Sequence, residues 1–320
     1  MDQKELRKIA GPVISITVMY NLGLLSIFFA VPLQLAAIRG NRKDFITVSL
    51  LSSVLILMTR FLLLNTANFP ELVILDVVVV AAVSVALYFA NYVLYGYSVP
   101  VRFGIITAAA GVLLLALSPF CGALEENIIF SLNKMMNLVN ILPVADAGAG
   151  SVSIQGETLY LMMKDLFGRS GLALFFFFIA YSWWGSYKMS LRMGMKKEDL
   201  KNISNWDMPD SAVWLLFVPL TVLLIGRLTS QSGAILLRGI PLYFISNLLF
   251  IMTGLYGIRG IQIILKVFRK WNIPRQMNLI LVLAIAMLIA VPGVNLVLLI
   301  LVAGLGVSEL WVNYRIFDKE

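Results

Sequence analysis

Two apolar stretches, 44-DFITVSLLSSVLILMTRFLLL-64 and 72-LVILDVVVVAAVSVALYFANYVLY-95, decide the fold. Each is long enough to form a helix that spans a bilayer, which needs about 20 mainly apolar residues. The seven residues between them allow only a short connection, so the two helices are predicted to be antiparallel neighbours. The two stretches together predict a helical membrane protein.

The composition of the whole chain agrees with that prediction. The 320 residues are 60% hydrophobic and 13% charged, and the mean hydropathy is +0.91. Soluble domains are about 45–50% apolar and about 25% charged. We therefore predict an all-α, polytopic transmembrane helix bundle that forms one membrane domain over residues 1–320. Its apolar segments are 9–38, 44–64, 72–95, 103–121, 170–193, 211–228, 239–265 and 277–314.

The first and last of these eight segments are too long for one crossing and short for two. Each contains a helix breaker, Asn21-Leu22-Gly23 in the first and Pro292-Gly293 in the last. The chain makes eight to ten passes, and if both segments double back it makes ten, with 18 Lys and Arg residues on one side against five on the other. If the first segment crosses only once, the distribution is 15 against 8. Cytoplasmic loops collect Lys and Arg, so we favour the doubled-back arrangement.

The same charge bias predicts orientation and location. The N-terminus and the basic loop 194–210 are predicted to be cytoplasmic, in the inner membrane of a bacterium. Residues 122–168 are predicted to form an external loop that carries an amphipathic helix over 124–140, followed by a short helix over 157–167. The amphipathic helix would either rest on lipid or cover the mouth of the bundle.

Ionisable residues inside a membrane need a partner or a wet cavity. Arg60 lies four residues before the end of its segment and Asp76 four residues after the start of the next, so both lie about 6 Å below the same surface. An ion pair between them is predicted, either as a structural link between two helices or as part of a substrate site. Asn91 is a third candidate for that polar site. Other intramembrane amides are Asn21, Gln34, Asn247 and Asn295.

Two rows of small residues are candidate packing surfaces, because small side chains let helix backbones approach closely. The first consists of Ala82, Ala86 and Ala90. The second consists of Gly254, Gly257 and Gly260. Packing within the protein is the simpler interpretation of both rows, and docking of another subunit is the alternative.

No catalytic motif is visible in the chain, so we expect a protein that is not an enzyme. There is no histidine, and Cys121 is the single cysteine. These absences exclude histidine-based metal sites and nucleophile–histidine pairs, and we expect no metal and no cofactor. The net charge of +8 is explained by basic cytoplasmic loops that face anionic lipid, rather than by nucleic-acid binding.

The last third of the chain resembles the YybS-like family of uncharacterised bacterial multi-pass membrane proteins. The residues that carry the resemblance are Asn205-Trp206-Asp207-Met208-Pro209-Asp210 with Val213-Trp214-Leu215-Leu216, the stretch from Asn247 to Gly260, and Asn313-Tyr314-Arg315. That family is distantly similar in layout to the substrate-capturing subunits of energy-coupling-factor transporters. Those subunits carry an Ala-xxx-Ala docking row on their first helix, whereas here the row is on the third segment.

Two functions from different classes follow from these observations. The first is a solute-binding or transport component that works with another membrane or ATPase subunit. The second is a scaffold or assembly partner of cell-envelope machinery that does not transport. The nature of the bundle interior, a polar cavity or a solidly packed core, would distinguish them.

Overall fold

The computed structural model describes residues 3–63, 70–141, 156–196, 209–231, 239–271 and 294–312, and residues 200, 206, 274, 277 and 280. Within these residues the regular structure is helical, without strands. Six of the described helices are long and apolar enough to cross a membrane. The prediction of an all-α, multi-pass membrane protein is confirmed at this level of detail. The helices form two compact units, Met1–Met208 and Pro209–Glu320, whereas the sequence predicts a single domain.

Each described helix covers all or part of one of the predicted apolar segments. The helices are α1 (Gln3–Asn21), α2 (Ala30–Arg39), α3 (Arg42–Leu63), α4 (Pro70–Tyr88), α5 (Val99–Ile141), α6 (Gly156–Arg192), α7 (Trp214–Gln231), α8 (Ile240–Lys270) and α9 (Val294–Ser308). Short 3₁₀ turns cover Gly23–Phe28 and Asp210–Val213, and a π-helical turn, Phe89–Val93, extends α4.

The first apolar segment is broken where the sequence predicts a break. Gly23 has φ of 57°, a left-handed conformation that glycine adopts without a steric penalty. Tyr20, before the break, contacts Asp76 near the start of α4, while Ala37, after it, accepts a hydrogen bond from Tyr92 beyond the end of α4. Asp76 and Tyr92 are about 24 Å apart along the helix. Between Tyr20 and Ala37 the chain therefore returns from the depth of Asp76 to the depth of Tyr92, and we call the two ends of the first unit the Asp76 end and the Tyr92 end.

A tight turn at the Tyr92 end joins α2 to α3. The Asn41 side chain accepts a hydrogen bond from the backbone N–H of Asp44 at 2.8 Å, and the Asp44 carboxylate accepts one from the N–H of Asn41 at 3.4 Å. This reciprocal capping satisfies backbone donors that the first turn of a helix leaves without partners. It defines the start of α3.

The longest helices, α5 and α6, correct one prediction. The stretches 124–140 and 157–167 are helical as predicted but are not separate helices, because α5 runs without interruption to Ile141 and α6 already begins at Gly156. A lone glycine such as Gly122 costs about 1 kcal/mol relative to alanine, which is too little to end a helix that packs along a neighbour.

The paired helices α5 and α6 are too long for the membrane. The 43 residues of α5 measure about 65 Å, against about 30 Å of hydrocarbon. The N–H of Gly156 donates to the Asn133 side chain at 2.9 Å, and Lys164 pairs with Glu125 at 2.8 Å. The helices thus form an antiparallel hairpin that extends past the Asp76 end, and the stretch 124–140 lies along α6 rather than folding over the bundle.

The turn between α4 and α5 is organised by Arg102, in the first turn of α5. Its guanidinium is buried, with the side chain 2% exposed, and donates to the carbonyls of Tyr97 at 2.7 Å, Tyr95 at 2.6 Å and Ala90 at 3.3 Å. The π-helical turn and the end of α4 leave carbonyls without helical partners. Arg102 satisfies one carbonyl of the π-helical turn, that of Ala90, and two of the connection that follows it, and it lies 5.9 Å from the centre of the Trp183 ring.

In the second unit, α8 packs against both α7 and α9. Of the last apolar segment, 277–314, the structure describes α9, which begins directly after Gly293. The predicted break at Pro292-Gly293 lies outside the described residues, as does most of the predicted basic loop 194–210.

Candidate functional site

The polar cluster at the Asp76 end joins three helices of the first unit. Arg60, in the last turn of α3, places Nε 3.0 Å from Oδ2 of Asp76 in α4. The predicted ion pair is therefore present. Tyr20, at the end of α1, donates its hydroxyl to Oδ1 of Asp76 at 2.7 Å, and its ring lies 5.5 Å from the Arg60 guanidinium carbon. Asp76 thus receives one charged and one neutral partner.

The elements that position these side chains follow from the sequence. The break at Gly23 ends α1, so that Tyr20 lies at the same depth as the start of α4. The Phe29 ring, which is 2% exposed, meets the Tyr20 ring edge to face with 5.1 Å between centroids. Such an aromatic pair restricts the ring, and it keeps the hydroxyl directed at Asp76.

An amide extends the cluster toward α3. The Asn21 side chain donates to the Thr59 hydroxyl at 2.9 Å and to the Thr17 carbonyl at 2.8 Å. Its Oδ1 is buried and, among the described residues, accepts no hydrogen bond. Arg60 Nε is likewise buried, and its partner is the Asp76 carboxylate at 3.0 Å. One acceptor, Asn21 Oδ1, is consequently left without a donor in a partly buried site.

The charges of this cluster balance. The side chains of Arg60 and Asp76 are 23% and 26% exposed, so both are partly withdrawn from solvent. Leaving buried polar atoms without partners costs about 1–3 kcal/mol each. A small molecule that donates one hydrogen bond to Asn21 Oδ1 would remove that cost without adding a net charge. The arrangement is suited to binding a polar solute, and no group of three or more His, Cys, Asp or Glu side chains among the described residues could hold a metal ion.

Asn91, the third predicted member, is not brought to this cluster. It lies 15 residues beyond Asp76 in a continuous helix, about 22 Å away. There it forms a reciprocal pair with Gln34 of α2: Asn91 Nδ2 donates to Oε1 of Gln34 at 2.8 Å, and Gln34 Nε2 donates back to Oδ1 at 3.1 Å. Gln34 is fully buried. This pair joins α2 to the π-helical turn at the Tyr92 end.

Tyr20 is the member that sequence reasoning missed. A tyrosine in an apolar segment is ordinary, and only a doubled-back first segment places it at the depth of Asp76. Its position directly before Asn21-Leu22-Gly23 was the available signal, because a residue before a break lies at the end of a helix.

The two rows of small residues differ in how they are used. Ala86 and Ala90 are buried in the first unit, whereas Ala82 is exposed. In the second row, a side chain at Gly260 would collide with the carbonyl of Val302 in α9, while one at Gly257 would meet nothing within 4 Å. Gly254 is partly exposed.

The crossing of α8 and α9 is close from both sides. A side chain at Gly306 of α9 would collide with the carbonyl of Tyr256 in α8. Two glycines facing backbone on the opposite helix produce the close approach that small residues permit in membranes. This contact explains why glycine is needed at position 260, and it confirms Gly260 as a residue of helix packing.

These features define the class of protein as a helical, multi-pass membrane protein with an intramembrane charged cluster at one end of its first unit. Comparison of the chain with protein-family models, curated proteins and solved structures gives no match. The resemblance to the YybS-like family therefore stays a prediction.

Proposed function

We propose that this protein is a solute-binding component of a bacterial membrane transport system and not an enzyme. The observation that carries the proposal is the cluster of Arg60, Asp76, Tyr20 and Asn21, in which the buried Oδ1 of Asn21 accepts no hydrogen bond from the described residues. Ionisable groups are rare in membrane helices and mark substrate or ion pathways there. Membership of the YybS-like family is part of the same proposal.

The proposed topology places this cluster on the outer side of the inner membrane. Exposed Arg39, Arg42, Lys43, Lys188 and Arg192 all lie at the Tyr92 end, which supports a cytoplasmic position for that end. The N-terminus is then cytoplasmic, and a solute would reach the cluster from outside. We propose nine or ten passes within the predicted range of eight to ten, with the first segment counting as two.

The chemistry of the cluster indicates the kind of solute. Because the guanidinium and the carboxylate neutralise each other, a neutral or zwitterionic molecule is favoured over an ion. It must offer one N–H or O–H donor to Asn21 Oδ1 and one acceptor to Arg60. Nucleobases, amino acids and several vitamins have this pattern.

A thermal-shift screen of the detergent-purified protein tests the proposal. A ligand at 100 times its Kd stabilises the folded form by about 2.7 kcal/mol, which raises the Tm by several degrees. The shift should disappear in Asn21→Leu and in Arg60→Met. It should persist in Lys164→Met, which removes an exposed pair on the hairpin instead.

Two outcomes contradict the solute-binding proposal. One is an absence of hits among nucleobases, amino acids, vitamins and lipid precursors. The other is a hit that survives both substitutions in the cluster. Co-purification of an ATPase module would support a transport role independently of the screen.

A scaffold is the second candidate, and the hairpin of α5 and α6 favours it. Beyond the membrane the hairpin exposes large apolar side chains, among them Phe130 at 67% and Met162 at 64%. Soluble surfaces that expose such residues often contact other proteins. Photo-crosslinkers at these two positions should capture one recurrent envelope protein, whereas a crosslinker at lipid-facing Val112 should not. Labelling by lipid alone at all three positions would contradict the scaffold.

A further inference from the structure

The last turns of α6 carry an aromatic and two cations on one face. Trp184, Lys188 and Arg192 are spaced by four residues, so they lie above one another along the helix. All three are exposed, Trp184 at 53%. The Lys188 ammonium lies 5.9 Å from the centre of the Trp184 ring, within the range of a cation–π contact.

The end of α2 brings a third cation to this face. Arg39 contacts the sulfur of Met193, which directly follows α6, through its guanidinium. Arg39 is exposed, and so is Met193. We call the group of Arg39, Trp184, Lys188 and Arg192 the α6 corner.

No carboxylate compensates the α6 corner among the described residues. None of its three cations forms an ion pair there. The acidic residue of the neighbouring α2–α3 turn, Asp44, is used in capping α3. At the opposite end of α6 the situation is reversed, since Lys164 pairs with Glu125 and Arg169 pairs with Asp165.

The α6 corner also has the layering of a membrane interface. Toward the middle of α6, the Trp184 ring lies 6.5 Å from that of Tyr181, which meets Phe28 edge to face at 5.7 Å. Trp and Tyr side chains are enriched at the level of lipid headgroups, with apolar side chains below them. A molecule that fits this layering has an anionic head beside the cations and an apolar tail along Tyr181 and Phe28.

We propose that the α6 corner binds the headgroup of an anionic phospholipid. Its phosphate lies against Lys188, Arg192 and Arg39, and an acyl chain lies along the aromatic side chains of α6. A free phosphate would make the same contacts with the three cations, but it has no apolar chain to contact the aromatic side chains. The inference does not depend on the proposed solute site, which lies at the other end of the first unit.

The test uses the full-length protein in vesicles, with tryptophan fluorescence quenched by lipids that carry brominated acyl chains. Brominated phosphatidylglycerol should quench at roughly hundredfold lower mole fraction than brominated phosphatidylcholine, since each of the three basic residues contributes about a fivefold preference for anionic lipid. Trp184→Phe should remove the lipid-selective part of the quenching, which assigns the signal to the corner.

The decisive variant removes all three cations: Arg39→Gln, Lys188→Gln and Arg192→Gln. Its preference for the anionic lipid should fall to near one. A charge-matched control, with Lys134, Lys164 and Arg169 changed to Gln, should keep the wild-type preference. If the triple variant does not fold, Lys188→Gln alone should lower the preference by roughly fivefold.

Three results would overturn the proposal. They are an equal response of the wild type to both lipids, an unchanged preference in the triple variant, and an equal loss in the charge-matched control. A final measurement adds millimolar inorganic phosphate as a competitor of the brominated lipid. Failure of phosphate to reverse the quenching supports a lipid site, whereas full reversal would show a site for free phosphate.

Discussion

The energetic coupling of Arg60 and Asp76 can be worked out from their geometry. At 3.0 Å and an effective dielectric constant of about 20, the attraction is roughly 5.5 kcal/mol before desolvation. Desolvation offsets much of it, and about a quarter of each side chain is exposed. We therefore expect a net coupling of about 1–2 kcal/mol, between the values for surface pairs and for fully buried pairs.

A double-mutant cycle measures this coupling. Arg60→Met keeps the apolar stem of the side chain and removes the charge, and it should cost about 2–3 kcal/mol because Asp76 is left partly buried without its cation. Asp76→Asn keeps an acceptor for the Tyr20 hydroxyl and should cost about 1–2 kcal/mol. The double variant should lose about 1–2 kcal/mol less than the sum of the two.

The assay is unfolding of the purified protein in mixed micelles by titration with sodium dodecyl sulfate, followed by circular dichroism. Tyr20→Phe is a third single substitution in the cluster, and it should cost about 1.5–3 kcal/mol because a hydrogen bond to a carboxylate is lost. Lys164→Met, at the exposed pair on the hairpin, is the control and should change the unfolding free energy little. Losses that add within about 0.5 kcal/mol in the double variant would refute the coupling.

Two further predictions concern packing and the turn before α5. Gly260→Ala should destabilise the protein by about 1–3 kcal/mol, because its side chain would collide with the carbonyl of Val302. Gly257→Ala, whose side chain would meet open space, should be neutral or stabilising by up to about 1 kcal/mol in the same unfolding assay. Equal losses of stability at both positions would contradict the close approach of α8 and α9 at Gly260. Arg102→Gln should cost about 2–4 kcal/mol, since three carbonyls lose a charged donor. A melting temperature unchanged from wild type would show that water satisfies those carbonyls.

The features that the sequence predicts correctly, the helices and the ion pair, depend either on local periodicity or on the depth of a residue in the membrane. The depth of Arg60 and Asp76 follows from their distance to the ends of neighbouring segments, and that arithmetic found the ion pair. The same arithmetic, applied to Asn91, would have placed it some 22 Å from Asp76. It was grouped with the pair because all three are polar, which carries no information about position.

Other features depend on tertiary structure. Whether Gly257 or Gly260 faces the neighbouring helix is set by rotation of α8 about its axis, and three residues of spacing do not specify it. The continuity of α5 through Gly122 depends on packing along α6. Tyr20 joins the cluster only because the first segment doubles back, an alternative that the charge distribution favours by a modest margin.

The polar cluster requires that the first apolar segment returns to the side of the membrane on which it starts. The side on which the α2–α3 turn lies, relative to the N-terminus, is therefore the decisive measurement. In a Cys121→Ser background, single cysteines at Lys8, Asn41 and Glu157 can be labelled with an impermeant thiol reagent in oriented vesicles. Lys8→Cys and Asn41→Cys should label from the same side and Glu157→Cys from the opposite side. Labelling of the first two positions from opposite sides would contradict the return of the first segment.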